Sequence, residues 1–211
     1  ALLAAASCPL VASFDDDSWP LDSNFFSQAV FWAKSLDSDL IACGIHELGD
    51  SPPDSFCKPF LSASFEGCGC VIRRSSFLSV KGYLPLRFAY GMEESDLALQ
   101  LLDKGFRIHR VSSLRVFHNC DRKSHHSSLS VNSAQISNAL LLGFLRYPFV
   151  LWPLSLVQCL NRVLYALRVR RFRGILRGVI SAPWFCWIYR KNRAPVSLRT
   201  VLYSRRLSRF H

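Results

Sequence analysis

YGMEESDLALQLLDKGFRI, residues 90–108, decides the reading of this chain. Leu97, Ala98, Leu101 and Leu102 recur at helical spacing over 90–105, and Gly105 falls where a helix ends on a left-handed residue. Glu93, Glu94 and Asp96 stand where the first turn begins, and acids there meet the positive end of the helix dipole. That alone accounts for them structurally. The approach through Tyr90, Gly91 and Met92 is tight and aromatic rather than plainly polar, however. A carboxylate held at such a helix start, near a metal-bound leaving group, can act as a general base.

Working outward, 106–111 and 114–118 read as strands, and the second, LRVFH, ends on His118. A histidine at a strand end is more often structural than chemical. Upstream, FEGCGCVIRR (65–74) joins a glycine turn to a short strand. Gly67 and Gly69 would let backbone N–H groups approach a ligand, and Arg73 and Arg74 would meet a phosphate or a sugar. Further upstream, VASFDDDSWP (11–20) carries a buried strand at 10–14 straight into Asp15, Asp16 and Asp17. Ligand crevices in open α/β sheets lie outside the carboxyl ends of the strands. Adjacent carboxylates repel there, a cost that a divalent cation removes, and hard oxygen donors suit Mg2+ or Mn2+. Asp15 and Asp17 are the expected ligands, because alternate residues of an extended segment face one side. The alternative is a solvated Asp turn, with Asp22 or Ser23 capping the helix expected from Ser23 onward, which carries Phe25, Phe26, Ala29, Val30 and Ala33. A second strand is expected at 39–45 and a Pro-, Asp- and Ser-rich loop at 46–59.

In order and spacing these segments resemble family 2 glycosyltransferases: an apolar strand into an Asp cluster, then F-x-G-x-G-x-x-I-R-R, a glycine-tyrosine turn, an acidic helix ending in glycine, and V-x-H. The match runs over about 10–118. The resemblance implies a GT-A fold, a nucleotide-sugar donor and a Mn2+ or Mg2+ ion on its diphosphate. It places Asp15, Asp17 and His118 on the metal and Asp16, Gly67, Gly69, Arg73 and Arg74 around the donor. It makes Glu94 the catalytic base, with Glu93 and Asp96 beside it, in a single inverting displacement onto a glycan, polysaccharide or lipid-linked acceptor. Glu94 stands where many members have Asp, and Lys81 replaces the first glycine before Gly82-Tyr83. Family members also carry an N-terminal strand-helix-strand segment for the nucleotide base, which nothing in this sequence supplies. A truncated relative acting only as a membrane-associated scaffold is therefore the alternative. The apolar start, without Met or a basic n-region, reads as the middle of a helix that begins upstream.

The charge is uneven. The net charge is +11, yet all 15 acidic residues lie at or before Asp121. The expected organisation is α/β: a partial GT-A domain (Rossmann-like, mixed sheet) at 1–121, a linker at 122–138, and a helical, basic and apolar tail at 139–211. Residues 139–160 have the length of a bilayer span, but two prolines and Arg146 interrupt them. Alternating apolar and Arg-rich stretches with Trp152, Trp184 and Trp187 favour helices lying on an anionic membrane surface, peripheral on its cytoplasmic face. Basic residues interleaved with long apolar runs, without groove-reading motifs, argue against nucleic acid. The eight cysteines form no CxxC pair and read as reduced, small hydrophobes. A zinc cluster of Cys57, Cys68, Cys70 and Cys120 fits no common spacing.

Overall fold

The computed structural model describes residues 2–47, 58–84, 92–120 and 128–208. The loop at 48–57, the approach at Tyr90-Gly91 and the polar stretch 121–127 lie outside the described residues. The chain divides into two compact units. The first comprises Ala1–Gly82, Leu97–Asp121 and Tyr203–His211; the second comprises Tyr83–Asp96 and Arg122–Leu202.

In the first unit a short helix α1 (Leu2–Ala5) precedes β1 (Leu10–Phe14), β2 (Ser18–Pro20), α2 (Phe25–Ser35) and β3 (Leu40–Glu47). β4 (Phe60–Leu61), β5 (Gly69–Arg73), α3 (Arg74–Leu78) and β6 (Ile108–His118) complete it. The strands form one mixed sheet in the order β1-β5-β3-β6-β2, with β4 paired to β6. β5 runs antiparallel to β1 and β3, whereas β3 and β6 are parallel, so β1, β3 and β6 end on the same side. This is the mixed sheet the sequence leads one to expect.

β6 is one strand where the sequence reads as two. Its register against β3 jumps between Cys43, opposite Val111, and Gly44, opposite Arg115. Gly44 is required at that irregularity, because a Cβ would lie 2.5 Å from the Ser112 carbonyl oxygen. α2 buries Phe25, Ala29 and Ala33 at i, i+4 and i+8 against a core of Ile41, Cys43, Val71, Val111, Leu114 and Val116. Phe26 and Val30, expected on the same apolar face, are exposed.

α4 (Glu93–Asp103) starts with its three acids and buries Leu97, Ala98, Leu101 and Leu102. It ends as expected: Gly105 has φ +81°, its N–H reaches the Leu102 carbonyl at 3.0 Å, and the Phe106 N–H reaches that of Leu101 at 3.1 Å. These two bonds close a Schellman cap.

The second unit is helical beyond α4's first turn: α5 (Leu129–Arg146), α6 (Trp152–Arg168), α7 (Ile175–Ile188) and the start of α8 (Leu198–Leu207). The expected linker is thus helical from Leu129. Ser128 caps it by accepting from the Val131 N–H at 3.3 Å, which satisfies a donor that polar composition alone does not reveal. α5 packs closely on both neighbours. A Cβ on Gly143 would lie 2.1 Å from Ser155 Cβ on α6, and one on Gly178 of α7 would lie 2.7 Å from the Ser133 carbonyl oxygen. The apolar run 139–160 is two things rather than one. Its first part is core, with Leu141 and Leu145 fully buried, and the exposed part begins at Phe149. Among the described residues, 149–168 is long and apolar enough to cross a membrane, and little of it is buried.

Candidate active site

The candidate site forms where β1, β3 and β6 end. After β1 the chain turns at once. The Ser18 N–H reaches the Asp15 carbonyl at 3.1 Å, and Ser18 Oγ accepts from the Asp15 N–H at 2.7 Å. Asp15 to Ser18 is therefore a closed turn, not the expected extended segment whose alternate residues face one side. Ser18 Oγ also donates to the Cys68 carbonyl at 2.8 Å, tying the Asp turn to the glycine turn before β5.

His118 ends β6 between two acids. Its Nε2 lies 3.3 Å from Asp17 Oδ1 and its Nδ1 lies 3.5 Å from Glu47 Oε1 at the end of β3. Asp15, Cys68 and His118 each offer a ligand atom, and the three atoms lie within 4.8 Å of one another. Burial pushes the Asp15 carboxyl above its ordinary pKa, His118 opposes the shift, and Asp17 and Asp16 add to it. The residues thus bring together carboxylates that destabilise one another and an imidazole held by a further carboxylate. That donor set fits a divalent cation, which would relieve the repulsion. Cys68 is less ready to serve, since burial first, then the charges of Asp15 and Glu66, push its thiol up to about 12. Asp16, at the tip of the turn, is exposed.

Cys68 and Glu47 are absent from the sequence-based site. As a metal ligand, Cys68 enters the sequence reading only in a zinc cluster of cysteines, and Glu47 lies at the edge of the 46–59 loop. Glu47 carried one signal, as the last residue of the apolar run LIACGIHE.

The two glycines and two arginines separate. Glu66 and Gly69 close the turn through an N–H bond of 3.2 Å, and Arg110 Nη2 holds the Glu66 carboxylate at 3.0 and 2.9 Å. Gly69 is a packing requirement, because a Cβ there would lie 2.4 Å from Ile45 Cδ1 and 3.2 Å from Val116 Cβ. Gly67 sits in the turn next to Cys68. Arg73 lies at the far end of β5, opposite Leu10, whereas Gly69 is opposite Phe14 at the site. There Arg73 Nη2 donates to the Ser38 carbonyl at 3.3 Å and its guanidinium approaches Asp39 and Asp37 at 3.8 and 3.9 Å. Arg74, its neighbour, bonds through its N–H to the Pro9 carbonyl at 2.8 Å. Neither arginine joins the Asp15, Asp17 and His118 group, because antiparallel β5 carries its C-terminal end away from it.

In the second unit, Glu93 Oε2 accepts from the Met92 N–H at 2.6 Å, and Glu94 is partly exposed. Asp96 turns inward and is fully buried. Arg146, 1% exposed, donates to it from Nε and from Nη2, the latter at 3.0 Å, and from Nη1 to the Ala194 carbonyl at 3.2 Å. Asp96 therefore faces a guanidinium, not solvent.

A family profile described as the N-terminal domain of galactosyltransferase matches residues 54–126, which include Cys68, Glu94 and His118. No curated protein matches the sequence. Among solved structures, the chain is similar to residues 1–349 of TarS from S. aureus, at TM-score 0.54 and 14% identity, covering 85% of this chain and 58% of that one. It is also similar to GalNAc-T7 crystallised with UDP, GalNAc and Mn2+, at TM-score 0.51 and 14% identity, covering 70% of this chain and 34% of that one. The chain thus spans less than two thirds of either structure. These likenesses show the fold: a mixed-sheet α/β domain of GT-A type, followed by a helical region.

Proposed function

We propose that this chain belongs to an inverting, metal-dependent transfer of a sugar from a nucleotide-sugar to a glycan, polysaccharide or lipid-linked acceptor. The observation that carries the reading is the gathering of Asp15, Asp17 and His118 at the strand ends, with Glu47 behind His118. The resemblance of this order of motifs to family 2 glycosyltransferases supports it. Asp15, Asp17 and His118 would hold Mn2+ or Mg2+, which when bound neutralises charge developing on the departing diphosphate. Glu47 orients the His118 ring. Glu94 removes the proton of the acceptor hydroxyl, which attacks the anomeric carbon in line and inverts its configuration. Asp96 is a positioning residue that acts through Arg146.

The helical unit would rest on an anionic membrane surface, peripheral on the cytoplasmic face. Leu156, Leu160 and Leu164 make an exposed stripe on α6, and Leu176, Ile180, Trp184 and Trp187 make another on α7. Arginines alternate with both stripes, and no acid follows Asp121. The negative cytoplasmic leaflet attracts such segments by about 1 kcal/mol per basic residue.

Titration calorimetry of UDP and GDP with Mn2+, on this chain and on a version extended upstream, tests the donor reading. Nucleotide binding that needs Mn2+ and drops at least ~tenfold in Asp17→Ala is the expected result. Metal-independent binding, or none in either version, would overturn the catalytic reading.

A further inference from the structure

Two helices of the second unit are polar on the faces they turn to a shared cavity. On α5, Gln135, Asn138, Ala139 and Leu142 fall at i, i+3, i+4 and i+7. On α6, Gln158, Asn161, Arg162 and Tyr165 repeat the same spacing. These residues, with Met92 and Ser95 from the start of α4, line one cavity of about 430 Å³. Elsewhere the two helices pack through small groups, Gly143 admitting Ser155. Four carboxamides facing one another across a seam are not what helix packing alone selects, since apolar side chains would fill it without needing hydrogen-bond partners. Gln158 is held in place, 3.2 Å from the Tyr147 hydroxyl. Asn161 and Arg162 are exposed.

The chemistry of this lining is specific. A carboxamide offers donors and an acceptor in one plane, which matches a hydroxyl that both donates and accepts. Sugar rings present several such hydroxyls. No carboxylate is among the described lining residues, and Arg162 adds a planar cation suited to phosphate or carboxylate. A volume of about 430 Å³ lies within the range of small-molecule sites and suits one or two sugar rings. Ser95 follows Glu94 directly, so the cavity adjoins the turn that bears the proposed base.

We infer that this cavity is an acceptor subsite and that it takes an anionic saccharide, one bearing a phosphate or a carboxylate. Assigning it to the acceptor rests on the transferase reading; the binding itself does not. The test is ligand-observed saturation-transfer NMR, with affinities by titration, on the whole chain in the absence of metal and nucleotide. The probes are N-acetylglucosamine 1-phosphate, glucuronic acid and neutral N-acetylglucosamine. The anionic probes are expected to bind more tightly than the neutral one, and the tighter of the two identifies the anion. Arg162→Gln should weaken the anionic probes ~tenfold and spare the neutral one, while Asn161→Ala should weaken all three. Both side chains are exposed, so both variants keep the wild-type melting temperature. Absence of binding by all three probes, equal affinity for neutral and anionic probes, or binding indifferent to both substitutions would each overturn the inference. With neither metal nor nucleotide present, failure of the donor reading leaves this outcome unaffected.

Discussion

Arg146 and Asp96 form an ion pair withdrawn almost completely from solvent. Both are buried, and the guanidinium gives the carboxylate two near-parallel hydrogen bonds. Burying the two charges consumes much of their attraction, so the pair adds little net stability over an apolar replacement. Breaking it is different, since it strands a charge. Asp96→Asn and Arg146→Met are each expected to lower the unfolding free energy by about 3–5 kcal/mol, measured by urea denaturation. The double replacement Asp96→Leu with Arg146→Met should recover most of that loss. Single variants within ~1 kcal/mol of wild type would show that the pair is not buried in solution. The same contact gives the first turn of α4, with Glu93 and Glu94, a fixed anchor that no propensity of the helix supplies.

At the scale of elements, glycine serves two opposite purposes. Gly105 ends α4 in the left-handed region, and nothing lies within 4 Å of where its Cβ would be. Gly105→Ala is therefore a backbone cost alone, about 1–2 kcal/mol. Gly143 lies inside α5, where alanine would gain about 1 kcal/mol of helix propensity. Contact with Ser155 reverses that sign. Overpacking costs about 1–3 kcal/mol or more, and a Cβ at 2.1 Å cannot be accommodated by a rotamer change. Gly143→Ala should lower the melting temperature despite the propensity gain, and Gly143→Ala with Ser155→Gly should restore it. A Gly143→Ala variant as stable as wild type would mean that α5 and α6 do not cross this closely.

At the scale of the whole molecule, the acidic and basic halves of the chain are chemically unlike, and the exposed apolar stripes lie in the basic one. Sedimentation with vesicles tests what that implies. Binding is expected to vesicles rich in phosphatidylglycerol and not to neutral phosphatidylcholine, with a blue shift of tryptophan emission. It should weaken between ~0.1 and ~1 M salt, as the Debye length falls from about 10 to about 3 Å. Trp184→Ala with Trp187→Ala should weaken it further. Equal binding to neutral and anionic vesicles would refute the charge-led reading.

What was legible in the sequence was what local physics dictates. β1 follows from an apolar run between Pro9 and the acids that begin at Asp15. α4, with its acidic first turn and its glycine cap, follows from the 3.6-residue period and from an end that only glycine accommodates cheaply. The Asp cluster at a strand end and His118 at another were visible for the same reason. Other features depended on strand direction and order, which spacing along the chain does not encode. Arg73 is only four residues from Gly69, yet antiparallel β5 carries it to the opposite end of the sheet. Glu47 and Cys68 reach His118 and Asp15 because the order β1-β5-β3-β6 brings four strand ends together. Asp15 to Ser18 closes into a turn because Ser18 bonds back onto Asp15, and Asp96 faces inward because Arg146, fifty residues on, is there to neutralise it. The sequence by itself determined β1, α2, β3, β5 and α4, and which residue types could do the chemistry. Only the tertiary structure decided which of them meet, because a hydrogen bond or an ion pair depends on distance in space and not on separation along the chain.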